Sequence, residues 1–378
     1  MSVVTEKDQV NTASTVNRDL ITLCACAVNG TVPDALSVTA MDLPALYRAA
    51  QSHMLTSVVA FALEAAGIRD AAFSEAKAKA IRKMALMDVE QAKVLSRLEE
   101  AGIWYMPLKG AMLKDLYPAF GMREMSDRDI LVDPDRTADV RRIMEELGYT
   151  TEEYGKYYHD CYMKPPVANF EMHHKLFAVT QGKIITTYYA DVKSRLLKDE
   201  GNTCGRHFSP EDFYLHMIVH EYKHYSASGI GLRALLDTYV YLKATKLDMG
   251  YVHTEAEKLG IADFEQRNRE LAGLVFGGDT LAEKEQRMLD RFLRSGTYGY
   301  YDNFAENQLA EKGKWSFFLS RLTLPYDVMR EEFPVLQKAP FLYPFIWVYR
   351  LVAAVILRGG IVKHQISALL TWNEDNDP

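Results

Sequence analysis

From Ser74 to Glu100 the chain runs without glycine or proline, and Met84, Met87, Val94, Leu95 and Leu98 recur there at roughly helical spacing. Then the texture changes. Gly102 closes the helix, Ile103 to Leu108 reads as a short β-branched and aromatic strand, and Lys109-Gly110 opens a turn into a further helix. Everything from residue 18 to residue 100 carries helical periodicity, so the sheet-forming part of the chain starts here. After about residue 190 the helical pattern returns. Three stretches are expected: an N-terminal helical region over 1–100, an α/β unit over 101–195 and a C-terminal helical region over 196–378.

In the first stretch "LPALYRAAQSHMLTSVVAFALEAAG" is helical through Leu46, Val58, Val59, Phe61 and Leu63, with Gly67 as a stop, and the methionine and leucine stripe that follows is core packing. In the second, "RDILVD" is a strand, Asp135 caps the helix "RTADVRRIMEELG" and Gly148 stops it. "YTTEEYGKYYHDCYM" is strand and loop, and "ANFEMHHKLF" is another strand. In the third, Ser209 and Pro210 start the helix "SPEDFYLHMIVHEYKHY", and "IGLRALLDTYVYLKAT" is the next. Later helices break at Gly260, Gly273 and Gly277–Gly278, and "WNEDNDP" is an acidic, frayed tail.

Composition narrows the function. Forty-four Lys plus Arg against fifty-one Asp plus Glu leave a net charge of −7, with no basic run to track a polynucleotide backbone. Cys24, Cys26, Cys161 and Cys204 fit neither a zinc-ribbon spacing nor a disulfide framework, which points to a reducing cytoplasm. "LITLCACAV" lacks the basic leader and cleavage site of a secretory signal. The most apolar stretch, Phe341 to Leu357, is interrupted by Pro344 and Arg350. A central arginine costs roughly 2.5–3.5 kcal/mol on insertion scales, so 341–357 is expected to be a buried or interfacial helix, with membrane-surface contact open to it.

The chemistry-bearing feature is "REMSDRDILVD", Arg123 to Asp133. Side chains at i and i+2 of a strand share a face, so Asp127 and Asp129 project together and can hold one divalent cation between them. Mg²⁺ prefers oxygen ligands, keeps few protein carboxylates and completes its octahedron with water and substrate phosphates. Glu171, in the strand candidate "NFEMHHKL", stands where a third carboxylate would finish a two-metal site. Gly110 follows a strand and precedes a helix, where its backbone can approach a phosphate, and Lys109, Lys114 and Arg123 supply cations nearby.

The strand-"LKG" turn, "LYP" (Leu116 to Pro118), Arg123, "D-x-D-I-L-V", the later "E-x-H" and a histidine-bearing helix followed by Leu232, Arg233 and Asp237 resemble the uncharacterised nucleotidyltransferase family of the polymerase-β-like superfamily. The resemblance implies an α+β fold, a small mixed sheet flanked by N- and C-terminal helical regions. It implies a Mg²⁺- or Mn²⁺-dependent enzyme that binds an NTP such as ATP and transfers a nucleoside monophosphate to a hydroxyl of a small-molecule, sugar or protein acceptor. Asp127, Asp129 and Glu171 would hold metal and carry catalysis, with Glu171 as base. Lys109, Gly110, Ala111 and Arg123 would face the triphosphate. The chain departs from the superfamily pattern at Ala111, where Ser or Gly is usual, and at Arg128, where an aliphatic residue is common. Arg128 either sets a cation beside the metal site or points to the opposite face to pair with a helix carboxylate.

Other readings compete. His220-Glu221-Tyr222-Lys223-His224 is a full His-Glu-x-x-His match, in which the two imidazoles would bind Zn²⁺ and Glu221 would activate water in a hydrolase. No extended motif follows, because Ala227 and Ile230 stand where its glycine and last histidine belong. A non-catalytic nucleotide-binding protein is the third reading. His216, His220 and His224 form an i, i+4, i+8 row along one helical face. His173 and His174 alternate across their strand, with His173 expected to turn away from Glu171. Tyr154, Tyr157, Tyr158, His159 and Tyr162 form an aromatic cluster that either stacks a substrate or packs the sheet. Arg233 and Asp237, at i and i+4, read as a helical ion pair.

Overall fold

The computed structural model describes residues 6–296, 313–320, 322–357, 363 and 369. The N-terminal stretch folds into α1 (Glu6–Asn29), α2 (Ala35–Thr39), α3 (Leu43–Ser52), α4 (Thr56–Ala65) and α5 (Ala71–Glu100). Asp34, Asp42 and Asp70 cap α2, α3 and α5, each accepting from the backbone N–H three residues on. The apolar stretch 43–67 divides into α3 and α4 because Met54 takes a left-handed backbone, φ 52°. Of the stripe on α5, Met84, Met87, Val94 and Leu98 are buried.

The sheet is built from β1 (Tyr105–Pro107), β2 (Arg128–Val132), β3 (Thr150–Glu153), β4 (His159–Lys164) and β5 (Ala168–His173), in the order β1-β2-β5-β4-β3. β2 and β5 run parallel while the other pairs are antiparallel, so the sheet is mixed. Two helices accompany it, α6 (Lys109–Leu113) and α7 (Thr137–Glu146). Strand alternation then sorts the side chains. Ile130, Val132, Phe170 and Met172 enter one core with Val94, Leu98, Val140 and Ile143 of α5 and α7. The other face carries Asp129, Glu171 and His173. Asp135 does not cap α7: Pro134 starts a 3₁₀ turn, and Asp133 accepts from the Asp135 N–H at 3.1 Å.

α8 (Lys183–Tyr188) is followed by β6 (Leu197–Lys198) and β7 (Arg206–His207), a two-stranded ribbon inside the stretch read as helical. The Tyr105 N–H donates to the Cys204 carbonyl at 3.1 Å, so the chain beside this ribbon covers the β1 edge. α9 (Pro210–Tyr225), α10 (Leu232–Ala244), α11 (Met249–Leu259), α12 (Ala262–Gly277) and α13 (Glu283–Ser295) follow. Ser209 caps α9 through the Asp212 N–H. Gly260 and Gly278 end α11 and α12 in left-handed conformations, whereas Gly273 lies inside α12. Residues of α1, α3, α4, α9, α10, α12 and α13 share one apolar core that reaches the sheet at Met106 and Leu131.

A further helix covers Tyr343–Leu357, with Phe345, Tyr349 and Val352 exposed and Trp347 donating to the Leu322 carbonyl. Among the described residues, no helix is long and apolar enough to cross a membrane. The tail "WNEDNDP" lies outside the described residues.

Candidate active site

Parallel pairing of β2 with β5 sets Asp129 opposite Glu171, and antiparallel pairing of β4 with β5 sets His159 opposite His173. Directly opposed residues and residues two apart share a face, so these four side chains project together, with Asp127 just ahead of β2. His173 therefore does not turn away from Glu171: positions 171 and 173 have the same parity. Its Nε2 lies 3.4 Å from Asp129 Oδ1 and 3.6 Å from Glu171 Oε2. One imidazole nitrogen thus touches both carboxylates. His159 Nε2 lies 3.7 Å from the same Glu171 oxygen. Tyr158 packs against both rings, with centroids 4.6 and 5.6 Å away.

Charge is concentrated on this face. Burial, then the charges of Asp129 and Glu171, push the Asp127 carboxyl up to about 6, against a hydrogen bond from Ser126. Burial acts the same way on Asp129, but His173 outweighs it and holds that carboxyl below its usual range. His173 itself is raised to about 9, because Asp129 and Glu171 overcome the effect of burial. Asp127, Asp129 and Glu171 thus present carboxylate oxygens, the donors a hard divalent cation prefers, to one cleft.

The face forms one wall of a cleft of about 450 Å³ whose other walls come from α6, α9, α10 and the segment before β2. That volume is in the range of small-ligand sites. Lys109 and Gly110 line it. Lys109 Nζ lies 3.4 Å from Glu221 Oε1. A Cβ on Gly110 would meet Met125 Cε at 2.8 Å and Arg123 Nη1 at 3.3 Å, so the glycine makes room for Arg123 beside the cleft. Ala111 is buried outside the lining, and its N–H donates to the Leu108 carbonyl. Arg123 lines the cleft with its charge already matched: Nε and Nη2 donate to Asp237 at 2.8 and 2.9 Å. Lys114 pairs instead with Asp88 and Asp115, outside the lining.

Arg128 takes the second of its two expected courses. It is fully buried on the opposite face of β2 and pairs with Asp88 on α5. Asp237 pairs with Arg123 rather than with Arg233 on its own helix. Arg233 donates to the Glu124 carbonyl at 3.0 Å and to Met54 Sδ at 3.2 Å while lining the cleft.

His216, His220 and His224 line the facing wall. Burial, with Lys109 and neighbouring cations, pulls His216 and His224 down to about 3 and His220 well below its usual value, so the row is neutral. Glu221 is fully buried and accepts from Thr238 and Asn268 at 3.0 Å each. That carboxylate is engaged in the helix packing rather than poised over a metal between His220 and His224. Lys223 stands across the cleft, its ammonium 5.5 Å from the centre of the Tyr158 ring, and feels Glu171 and Asp129. Sequence reasoning did not assign Lys223 or Arg233 to the site, nor His159 to the acidic group. The alternation of "E-x-H" was the available signal for His173; His159, Lys223 and Arg233 arrive by tertiary packing.

A family model described as an uncharacterised nucleotidyltransferase matches residues 39–277. Among the solved structures, the chain is similar to an antigenic nucleotidyltransferase-like protein from Paracoccidioides brasiliensis, at 15% identity over 54% of this chain and 96% of that one, with a TM-score of 0.34. No curated protein matches.

Proposed function

Because the chain belongs to the uncharacterised nucleotidyltransferase family, we propose that it is a Mg²⁺- or Mn²⁺-dependent nucleotidyltransferase moving a nucleoside monophosphate from an NTP to an acceptor hydroxyl. The observation that carries this reading is Asp129 set opposite Glu171 on parallel strands, at the floor of a cleft rimmed by Lys109, Lys223 and Arg233. Asp127, Asp129 and Glu171 would hold the ion, which when bound supplies charge neutralisation for the triphosphate. Lys109 and Arg233 supply positive charge to orient the phosphates. Glu171 accepts the proton of the acceptor hydroxyl. The neutral imidazoles of His216, His220 and His224 offer the base or acceptor a surface for stacking and hydrogen bonding.

The net charge of −7 favours a small-molecule, sugar or protein acceptor over a nucleic acid. All four cysteines are free thiols, which agrees with a cytoplasmic setting. The apolar side chains exposed on Tyr343–Leu357 support contact with a membrane surface.

The test is incubation with α- and γ-labelled NTPs, Mg²⁺ or Mn²⁺ and an acceptor panel. α-Label should pass to the acceptor and γ-label to pyrophosphate, and Asp129→Asn should reduce both to background. Nucleotide binding without turnover across the panel would instead mark a non-catalytic nucleotide-binding protein.

A further inference from the structure

We propose that His159, Glu171 and His173 form a metal site of their own in the cleft, one that takes a borderline divalent cation such as Zn²⁺ or Co²⁺ through two imidazole nitrogens and a carboxylate oxygen. One potential ligand atom from each residue lies within 4.8 Å of the other two. Atoms each about 2.0–2.2 Å from a single ion stand at most about 4.4 Å apart, so small side-chain rotations close the shell. The backbone ladder creates the grouping: β4 places His159 opposite His173, and Glu171 is two residues back on β5.

Donor chemistry decides which ion. Mg²⁺ binds carboxylate, carbonyl and water oxygens, whereas imidazole favours zinc and its transition-metal neighbours. The oxygen-only pair Asp127 and Asp129 and the nitrogen-rich group around Glu171 therefore differ in the metals they select, though they share one floor. All three residues line the cleft, which leaves coordination positions open toward solvent and ligand. Nε2 of both rings faces the same Glu171 oxygen, at 3.7 and 3.6 Å, and packing around Tyr158 sets the ring orientation. The grouping is separate from the His-Glu-x-x-His helix. Its occupancy does not depend on nucleotidyl transfer, although Glu171 belongs to both proposals.

The experiment uses the full chain without a histidine tag, stripped with a chelator and shown by circular dichroism to stay folded. Co²⁺ is titrated without nucleotide and followed by its visible absorption, with Zn²⁺ and Mg²⁺ as competitors. One Co²⁺ per chain is expected, displaced by equimolar Zn²⁺ and retained against a large excess of Mg²⁺. Loss of even an outer-shell partner weakens metal affinity about 10–100-fold, so His159→Asn and His173→Asn should each weaken Co²⁺ binding at least about tenfold. Asp127→Asn should leave it unchanged. The proposal is overturned by Co²⁺ affinity that survives the His159 change, by binding lost only with Asp127→Asn, or by a folded wild type that takes up no stoichiometric Co²⁺. His159 is partly exposed and is the variant that decides should His173→Asn fail to fold. A chain that binds Co²⁺ in this way and fails the labelled-NTP assay would keep this site while losing the proposed activity.

Discussion

Arg123 and Asp237 are both buried, and the guanidinium grips the carboxylate with two nitrogens while the Tyr117 hydroxyl donates to the same group at 2.8 Å. Removing one member of such a pair strands the other without a partner. Asp237→Asn is expected to lower stability by about 3–5 kcal/mol, read as a shift in the urea midpoint. Because Asp237 already neutralises Arg123, the proposed NTP site would draw on Arg233 more than on Arg123 for charge toward the phosphates. Arg233→Gln is expected to weaken NTP binding about tenfold in equilibrium titration, or about 1.4 kcal/mol. At this scale the sequence was legible where strand parity was enough: alternation separates Asp129 from Ile130 on β2 and Glu171 from Phe170 on β5. It was illegible for Arg123 with Asp237 and for His159 with His173, because those partners meet through packing and strand pairing that local spacing does not encode.

Among the elements, a cap is local chemistry, which is why the start of α9 at Ser209 could be read from residues alone, whereas the 3₁₀ turn at Pro134 displaced the one expected at Asp135. The contacts that fix helices to one another are not local. His53, at the end of α3, accepts from the Leu232 N–H at 3.2 Å and donates to the Leu293 carbonyl, tying α3 to α10 and α13. Burial draws its pKa from 6.5 down to about 4, so the folded chain keeps it neutral. Across that window the unfolded chain binds more protons than the folded one. Its stability contribution is complete above pH 6.5 and is lost as pH falls toward 4. Urea midpoints should therefore drop between pH 7 and pH 5 with a His53 component of up to roughly 1.4 kcal/mol per pH unit, and His53→Asn should flatten that slope.

At the scale of the whole molecule, the cleft has walls from two regions. The sheet supplies the acidic floor, and α9 and α10 supply His216, Lys223 and Arg233. The N-terminal helices reach the same assembly: Glu124 Oε1, just ahead of the acidic strand, accepts from Thr56 and from the Ser57 N–H at the start of α4. A fragment spanning 101–195 keeps the acidic residues but loses both partners and most of the shared core. It is expected to show no cooperative urea transition and no measurable NTP binding, whereas the full chain shows both. The passage from helices into the sheet and back was visible in the sequence as changes of hydrophobic period. The way those parts share one cleft was not, since it depends on surfaces that each element presents only after folding.

The in-register pairing of Asp129 with Glu171 also determines which edits the chain can absorb. The connection between β2 and β5 contains α7, β3 and β4, and its length can change at loop tips without moving either carboxylate. Phase is another matter. One residue inserted into β5 ahead of Glu171, with the outer pairing retained, would bring Phe170 to the floor and send the glutamate into the opposite core. The site is tolerant of distance along the chain and intolerant of an odd step, so its working residues are addressed by even and odd rather than by separation.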